Sequence, residues 1–311
     1  MKLVSFTRII SRTTLNVSAY KKDVGLMARL FFICSFFISN MVQADTIRIP
    51  RDVGDIPKLP NKLLVAALKR GNQYDSVFPY GDIASLPFST RLQGVRNNEL
   101  DIFNAMSSRE LENEFQAIYI PIYKGLMGMR LAIVKQSNRE LFSRVESLQD
   151  LKQFTAGQGT YWADSKILEA NNLPLVKEMK YSNMFRMLEA ERYDFFPRGA
   201  HEPWAEVEQR PELNLTVDPH IMLSYKAPFY FFVPKNNKQL AKHLTEQLNA
   251  MIEDGSFEEI FYNDAEVEKA LTQGNFQKRR IIELLNPQLS DNTPTNRSEL
   301  WYNPAEDHHK Y

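Results

Sequence analysis

The sequence predicts an α/β fold. Two observations carry this. Short extended apolar segments alternate along the chain with amphipathic helical ones, which is the pattern of strands layered against helices. No internal repeat is present, and apolar residues make up 43% of 311 positions and charged residues 24%, a globular composition. That length allows one large domain or two lobes, each with its own core.

The elements follow in order. Asp45–Pro50 (DTIRIP) reads as a first strand with Ile47 and Ile49 alternating. Leu63, Leu64, Ala67 and Leu68 make one helical stripe in Asn61–Arg70, and Gly71 stops it. Residues 72–88 read as irregular. Thr90–Asn98 is predicted helical and Leu100–Ala105 extended. Gly125–Val134 (GLMGMRLAIV) is a strong strand candidate. Ser147–Lys152 is a short helix, Phe154–Gly157 a strand, and Asp164–Asn172 a helix capped by Asp164. Ser182–Arg192 follows as a helix and Tyr193–Phe196 as a strand. Met222–Val233 is a long extended segment broken by Pro228. Gln239–Ile252 is the best helix, with Leu240, Leu244, Leu248, Met251 and Ile252 on one face. Gly255 ends it, and Ser256 with Glu259 predicts a capping box for the next helix. Asn286–Tyr311 has no apolar period and is expected to wrap the surface as a tail.

Charge is balanced overall at 38 basic and 38 acidic side chains, but not along the chain. Residues 1–44 hold six basic groups against one acidic, and the remainder holds 32 against 37. Residues 30–38 (LFFICSFFI) follow Arg29 and precede Val42-Gln43-Ala44. This is an export signal, with cleavage expected after Ala44 and Met27 as the expected start. The run is short for a membrane span, which takes about 20 residues. An uncleaved anchor is the other reading. Cys34, the sole cysteine, lies inside the run, so the mature chain is expected to have no disulfide, no thiolate nucleophile and no cysteine-bound metal. Zero net charge gives no support to a nucleic-acid partner.

The order of segments resembles a type II periplasmic solute-binding protein of family 3, the amino-acid import group, over most of residues 45–272. VRNNELDIFNAMSSRE (95–110) is similar to the first-lobe helix, strand and serine turn. PIYKGLMGMRLAIVK (121–135) resembles the strand entering the hinge, and SLQDLKQFTAGQGTYW (147–162) the second-lobe strand and G-T turn. AERYDFF (190–196) resembles the second-lobe helix-to-strand step. APFYFFVPKNNKQLAKHLTEQLNAMIEDGSFEEIF (227–261) resembles the return strand and final helices. The resemblance implies two α/β lobes joined by two crossover strands, near 131–136 and 222–228. Residues 45–130 and 227–285 would form lobe 1, 131–226 lobe 2, and 286–311 the tail. A ligand would lie between the lobes and be buried by closure.

The resemblance also implies site residues. Ser107 fits the first-lobe serine. The family's arginine is displaced: Arg109 comes early, and Glu112 holds the usual spacing. Thr160 matches the second-lobe turn, where a helix start offers N–H groups to an anion. Tyr161 and Trp162 follow as a pair suited to stacking, or to core packing. Where the family carries an acidic residue after the Asp194-type aspartate, this chain has Arg198, and Glu202 stands one helical turn on. Arg109 and Arg198 together argue for an anionic or polar solute, while an ion pair of Arg198 with Asp194 or Glu202 is the bland alternative. The expectation is a monomeric periplasmic protein that captures a small polar or anionic solute for an inner-membrane ABC permease, with no cofactor and no metal. Two alternatives stand beside it. One is a dehydratase-like enzyme on the same fold, for which His201 beside Glu202 is the only acid–base cluster, although a surface helix-start histidine is the better reading. The other is a sensor module acting through a membrane partner.

Overall fold

The computed structural model describes residues 44–50, 58–81 and 86–306; the expected export signal up to Gln43 lies outside the described residues, which begin at Ala44, the residue after which cleavage is expected. Strand β1 (Asp45–Arg48) pairs in parallel with β2 (Tyr74–Val77), and helix α1 (Leu59–Lys69) connects them. Strand β2 falls in the segment read as irregular, because its four residues (YDSV) carry no clear alternation. Pro60 stands in the first turn of α1, where a missing N–H costs nothing, and Gly71 follows at φ 81°.

Helix α2 (Phe88–Arg96) leads to β3 (Phe103–Met106), short α3 (Arg109–Glu114) and β4 (Phe115–Ile118). Strand β5 (Met129–Lys135) comes next. Its residues alternate between clusters: Ala132 and Val134 enter one core, Leu131 and Ile133 two others. A strand buried on both faces reads as a continuous apolar run, and that is why it stood out. The chain then passes through α4 (Leu148–Leu151), β6 (Ala156–Gly159), α5 (Ala163–Ala170), β7 (Leu175–Glu178), α6 (Tyr181–Glu189), β8 (Phe196–Gly199), α7 (Pro203–Glu208), β9 (Leu215–Val217) and β10 (Ile221–Ser224). Strand β5 is flanked by β10 and β8, all antiparallel to it, and also pairs β9. Strands β6 and β7 form a parallel pair, and a bridge from Ala156 to Phe195 ties β6 to the entry of β8.

The predicted extended segment 222–233 divides at Pro228 into β10 and β11 (Phe229–Pro234). Strand β11 is the centre of an antiparallel sheet in the order β3-β11-β4. Its period-2 pattern serves two cores: Tyr230 and Phe232 pack under α2, while Phe231 and Val233 face α1 and α8 (Lys238–Glu253). The best predicted helix is α8, capped by Asn237, whose side chain accepts the Leu240 N–H at 3.2 Å. Helices α9 (Ser256–Tyr262) and α10 (Ala265–Gln273) complete that layer. The predicted capping box at Ser256 does not form. Gly255 is the cap in a left-handed conformation, and the Ser256 hydroxyl donates to Asp254 at 2.6 Å.

Where β5 and β10 run side by side, Gly128 has no substitute. A Cβ there would lie 1.9 Å from the Tyr225 carbonyl oxygen. The chain ends differently from expectation. Strand β12 (Arg280–Glu283) adds in parallel to β10. Asn171 then holds the Leu285 main chain by two hydrogen bonds, of 2.8 and 3.0 Å. The tail is not confined to the surface: Leu300, Trp301 and Tyr302 are buried in the largest core, and the Tyr302 N–H reaches the Lys124 carbonyl at 2.7 Å. Three adjacent apolar residues have no helical or strand period, so pattern reading missed them.

Candidate functional site

A cleft of about 1260 Å³ takes one wall from α2, β3 and the start of α3, and the other from the β6–α5 turn and the β8–α7 segment. On the first wall Arg91 is held by Asn104, Nη1 donating to the Asn104 carbonyl at 3.2 Å. Ser108 caps α3, its hydroxyl accepting the Leu111 N–H at 3.2 Å. At the cleft's edge Lys58 pairs with Glu266 at 3.1 Å.

The opposite wall begins at Gly157-Gln158-Gly159-Thr160. The glycines here admit the chain's own rings. A Cβ at Gly157 would meet Tyr193 at 2.3 Å, and one at Gly159 would meet Trp162 at 2.4 Å. The Thr160 N–H is spent on the Glu178 carbonyl at 3.0 Å, so this donor is not offered to an anion. Asp164 is not the cap of α5, which is Trp162. Its carboxylate instead turns inward to accept from the Arg130 guanidinium and the Tyr225 hydroxyl.

Beneath that turn lies a buried charge cluster of two guanidiniums and three carboxylates. The Arg130 side chain is 1% exposed, donates from Nε to Tyr225 at 2.8 Å, and stands 3.6 Å from Glu202. Burial works against its charge, but Asp164, Tyr225 and Glu202 outweigh it and hold its pKa above the usual value. Arg198 donates from Nε to both oxygens of Glu206, at 2.8 and 3.0 Å, and from Nη2 to Glu202 and Glu206, each at 2.7 Å. Its guanidinium centre lies 5.0 Å from the Trp162 ring, 4.9 Å from Phe196 and 5.6 Å from Tyr181. The Tyr181 hydroxyl donates to Glu206 at 2.6 Å, and burial with that carboxylate pushes its pKa well up. Glu202 also accepts the Gly199 N–H at 2.7 Å. Burial by itself would raise Glu202; the surrounding cations, Arg198 first, hold it below the usual range.

His201 is 4% exposed, not a surface histidine. Its ring stacks on Tyr123 with centroids 4.0 Å apart and planes 16° from parallel. Nδ1 has no hydrogen-bond partner among the described residues. Burial pushes its pKa down to about 4, so at neutral pH the ring is uncharged. It can give or take one hydrogen bond in the cleft, and is a weak general base.

Five of the seven residues picked out in the sequence, Thr160, Tyr161, Trp162, Arg198 and Glu202, line this one cleft. Tyr161 is 77% exposed at its rim, whereas Trp162 packs on Phe196 and Arg198. Ser107 and Arg109 are not in its lining. The Ser107 hydroxyl donates to Glu112, and Arg109 points away to the tail, Nη2 donating to the Leu289 carbonyl at 2.9 Å. Arg198 pairs with Glu202 and Glu206; Asp194 instead accepts the Thr155 N–H at 2.7 Å. Sequence reading missed Arg130, Glu206, Tyr123, Tyr225 and Arg91. Arg130 alone left a signal, a cation inside the apolar run GLMGMRLAIV. Among the described residues no group of three or more His, Cys, Asp or Glu side chains is placed to hold a metal ion. None of the described helices is long and apolar enough to cross a membrane.

Comparison with known proteins bears on this geometry. The profile of bacterial extracellular solute-binding proteins, family 3, matches residues 82–263. An ancestral arginine-binding protein bound to arginine superposes with a TM-score of 0.53 at 17% identity, covering 72% of this chain and 99% of that one. The probable amino-acid ABC transporter extracellular-binding protein YtmK from Bacillus subtilis gives 0.53 at 18% identity, covering 72% and 99%. A structure from work on glutathione import via GshT and the cystine ABC importer TcyBC of Streptococcus mutans gives 0.53 at 16% identity, covering 71% and 95%. At these identities the likeness shows the fold, two α/β lobes joined by crossover strands. No curated protein matches.

Proposed function

Because the chain belongs to the bacterial extracellular solute-binding proteins of family 3, we propose that it captures a small amino-acid-like or carboxylate-bearing solute in the cleft and hands it to an inner-membrane ABC permease. In this reading lobe 1 is residues 45–130 with 227–285 and lobe 2 is residues 131–226, with β12 at the end of the lobe 1 return adding to the β10 edge of the lobe 2 sheet. Lobe 2 swings on β5 and β10 to bury the solute. Export uses the leader, with cleavage after Ala44, and the mature chain works in the periplasm.

One observation carries this reading. The cleft draws its walls from both sides of the β5–β10 pair, and each wall carries polar side chains, Arg91, Asn104 and Ser108 on one and Thr160, His201 and Glu202 on the other. Closure therefore desolvates groups that only a matching solute satisfies, and selectivity follows from the cost of leaving them unpaired. The sequence assigns the anionic preference to Arg109 and Arg198. Arg109 serves the tail and Arg198 is enclosed by carboxylates; Arg91 lines the first wall of the cleft beside Asn104, and from that position its guanidinium meets a solute carboxylate. Thr160 and Tyr161 meet the solute from the other wall. His201, being neutral, supplies hydrogen bonding without charge.

The test is a thermal-shift screen of residues 45–311 against amino acids, dicarboxylates, small peptides and cyclic acids. A solute at 100 times its dissociation constant stabilises by about 2.7 kcal/mol, roughly 5 °C in a chain of this size. The expected hit is lost in Arg91→Ala and recovered chemically unchanged. A hit recovered as a different molecule would replace capture with catalysis. A flat response across the panel would refute small-solute capture.

A further inference from the structure

The Arg198 guanidinium sits in a box whose chemistry suits a guanidinium from any source. Two carboxylates, Glu202 and Glu206, accept its N–H groups over 2.7–3.0 Å, and the rings of Trp162, Phe196 and Tyr181 face it within 4.9–5.6 Å. Such a combination of carboxylate acceptors and ring faces is how a planar cation is recognised. The box opens on the cleft, since all these residues except Phe196 line it. It is already filled, from within the chain, and Arg198 is 6% exposed.

We propose that Arg198 is a specificity-determining residue: it plugs a guanidinium box in the cleft and so closes the cleft to solutes with a cationic side chain. This rests on the cleft being the solute site. Strand β8 anchors the plug, because the Arg198 backbone is paired with Leu131 of β5 and cannot drift out of the box. Helix α7 delivers both carboxylates: Glu202 at its start accepts the Gly199 N–H, and Glu206 lies one turn further on the same face. An incoming cation would have to displace a fork held by four hydrogen bonds, and has no second carboxylate pair waiting in the box.

Removing the plug tests this. Arg198→Ala leaves the rings and both carboxylates in place with a hole the shape of the lost group. The probe is methylguanidinium at millimolar concentration, with tetramethylammonium, a cation without N–H donors, as the matched-salt control. The expected result is a saturable rise in the melting temperature of Arg198→Ala with methylguanidinium, roughly 5 °C at 100 times its dissociation constant. Tetramethylammonium gives no such rise. Wild type and Arg198→Lys respond to neither. An equal rise in wild type, or none in Arg198→Ala, overturns the proposal. Should Arg198→Ala be recovered unfolded, it is refolded from urea in either salt. Folding in methylguanidinium alone supports the plug; failure in both salts overturns it. The rescue does not use the natural solute, so its outcome is separate from that of the solute screen on wild type.

Discussion

Trp301→Ala measures how far the tail belongs to the core. The indole is 8% exposed and donates its N–H to the Pro294 carbonyl at 3.0 Å. One face is packed so closely on Gly125 that a Cβ there would lie 2.8 Å from the ring, and Lys226 Nζ stands 4.4 Å from the ring centroid. Truncating a buried tryptophan costs about 3–5 kcal/mol, and losing the cation–π contact adds roughly 0.5–1 kcal/mol. The Pro294 carbonyl can rebond to water, so its loss adds little. The sum is about 3.5–6 kcal/mol, or roughly 7–12 °C in melting temperature for a chain of this size. Urea unfolding followed by intrinsic fluorescence reads it, with unchanged slope expected. Leu285→Ala, at 80% exposure just before the tail, is the surface control and should stay within about 0.5 kcal/mol. A Trp301→Ala cost below about 1 kcal/mol would refute the packing argument and return the tail to the surface.

Two further outcomes follow from the buried cluster. Asp164→Ala leaves the Arg130 guanidinium and the Tyr225 hydroxyl without their shared acceptor, and should cost about 3–5 kcal/mol in urea unfolding, well above a surface aspartate. His201 titrates at about 4 in the folded chain, below its ordinary value of 6.5. Between those values the unfolded chain binds the extra proton, so the contribution of His201 is fully present above pH 6.5 and is lost as pH falls towards 4. That is worth about 3 kcal/mol across the window. His201→Gln should flatten this part of the stability–pH curve relative to wild type; parallel curves would refute it.

Local pattern was enough to place the layers. Periodicity is a local property, so α1 with its Leu63, Leu64 and Leu68 stripe, the apolar β5 and the amphipathic α8 could be read within a few residues. The segment order likewise pointed to the family, and the β6–α5 turn with Arg198 and Glu202 to the cleft. Short strands such as β2 and the tail's Leu300-Trp301-Tyr302 lack a period, and only partners distant in sequence make them what they are.

Tertiary structure alone decided the pairing of charges. Arg130 meets Asp164 across 34 positions and Tyr225 across 95, and no local pattern encodes such a meeting. It also divided the two arginines that looked alike in the sequence. Arg109 reached a tail carbonyl 180 positions away, while Arg198 was enclosed by the carboxylates of α7. The reason is physical. Side-chain type and spacing fix which groups need burial or a partner, but desolvation and charge pairing act through space, and they are settled only once the sheets have brought distant segments together.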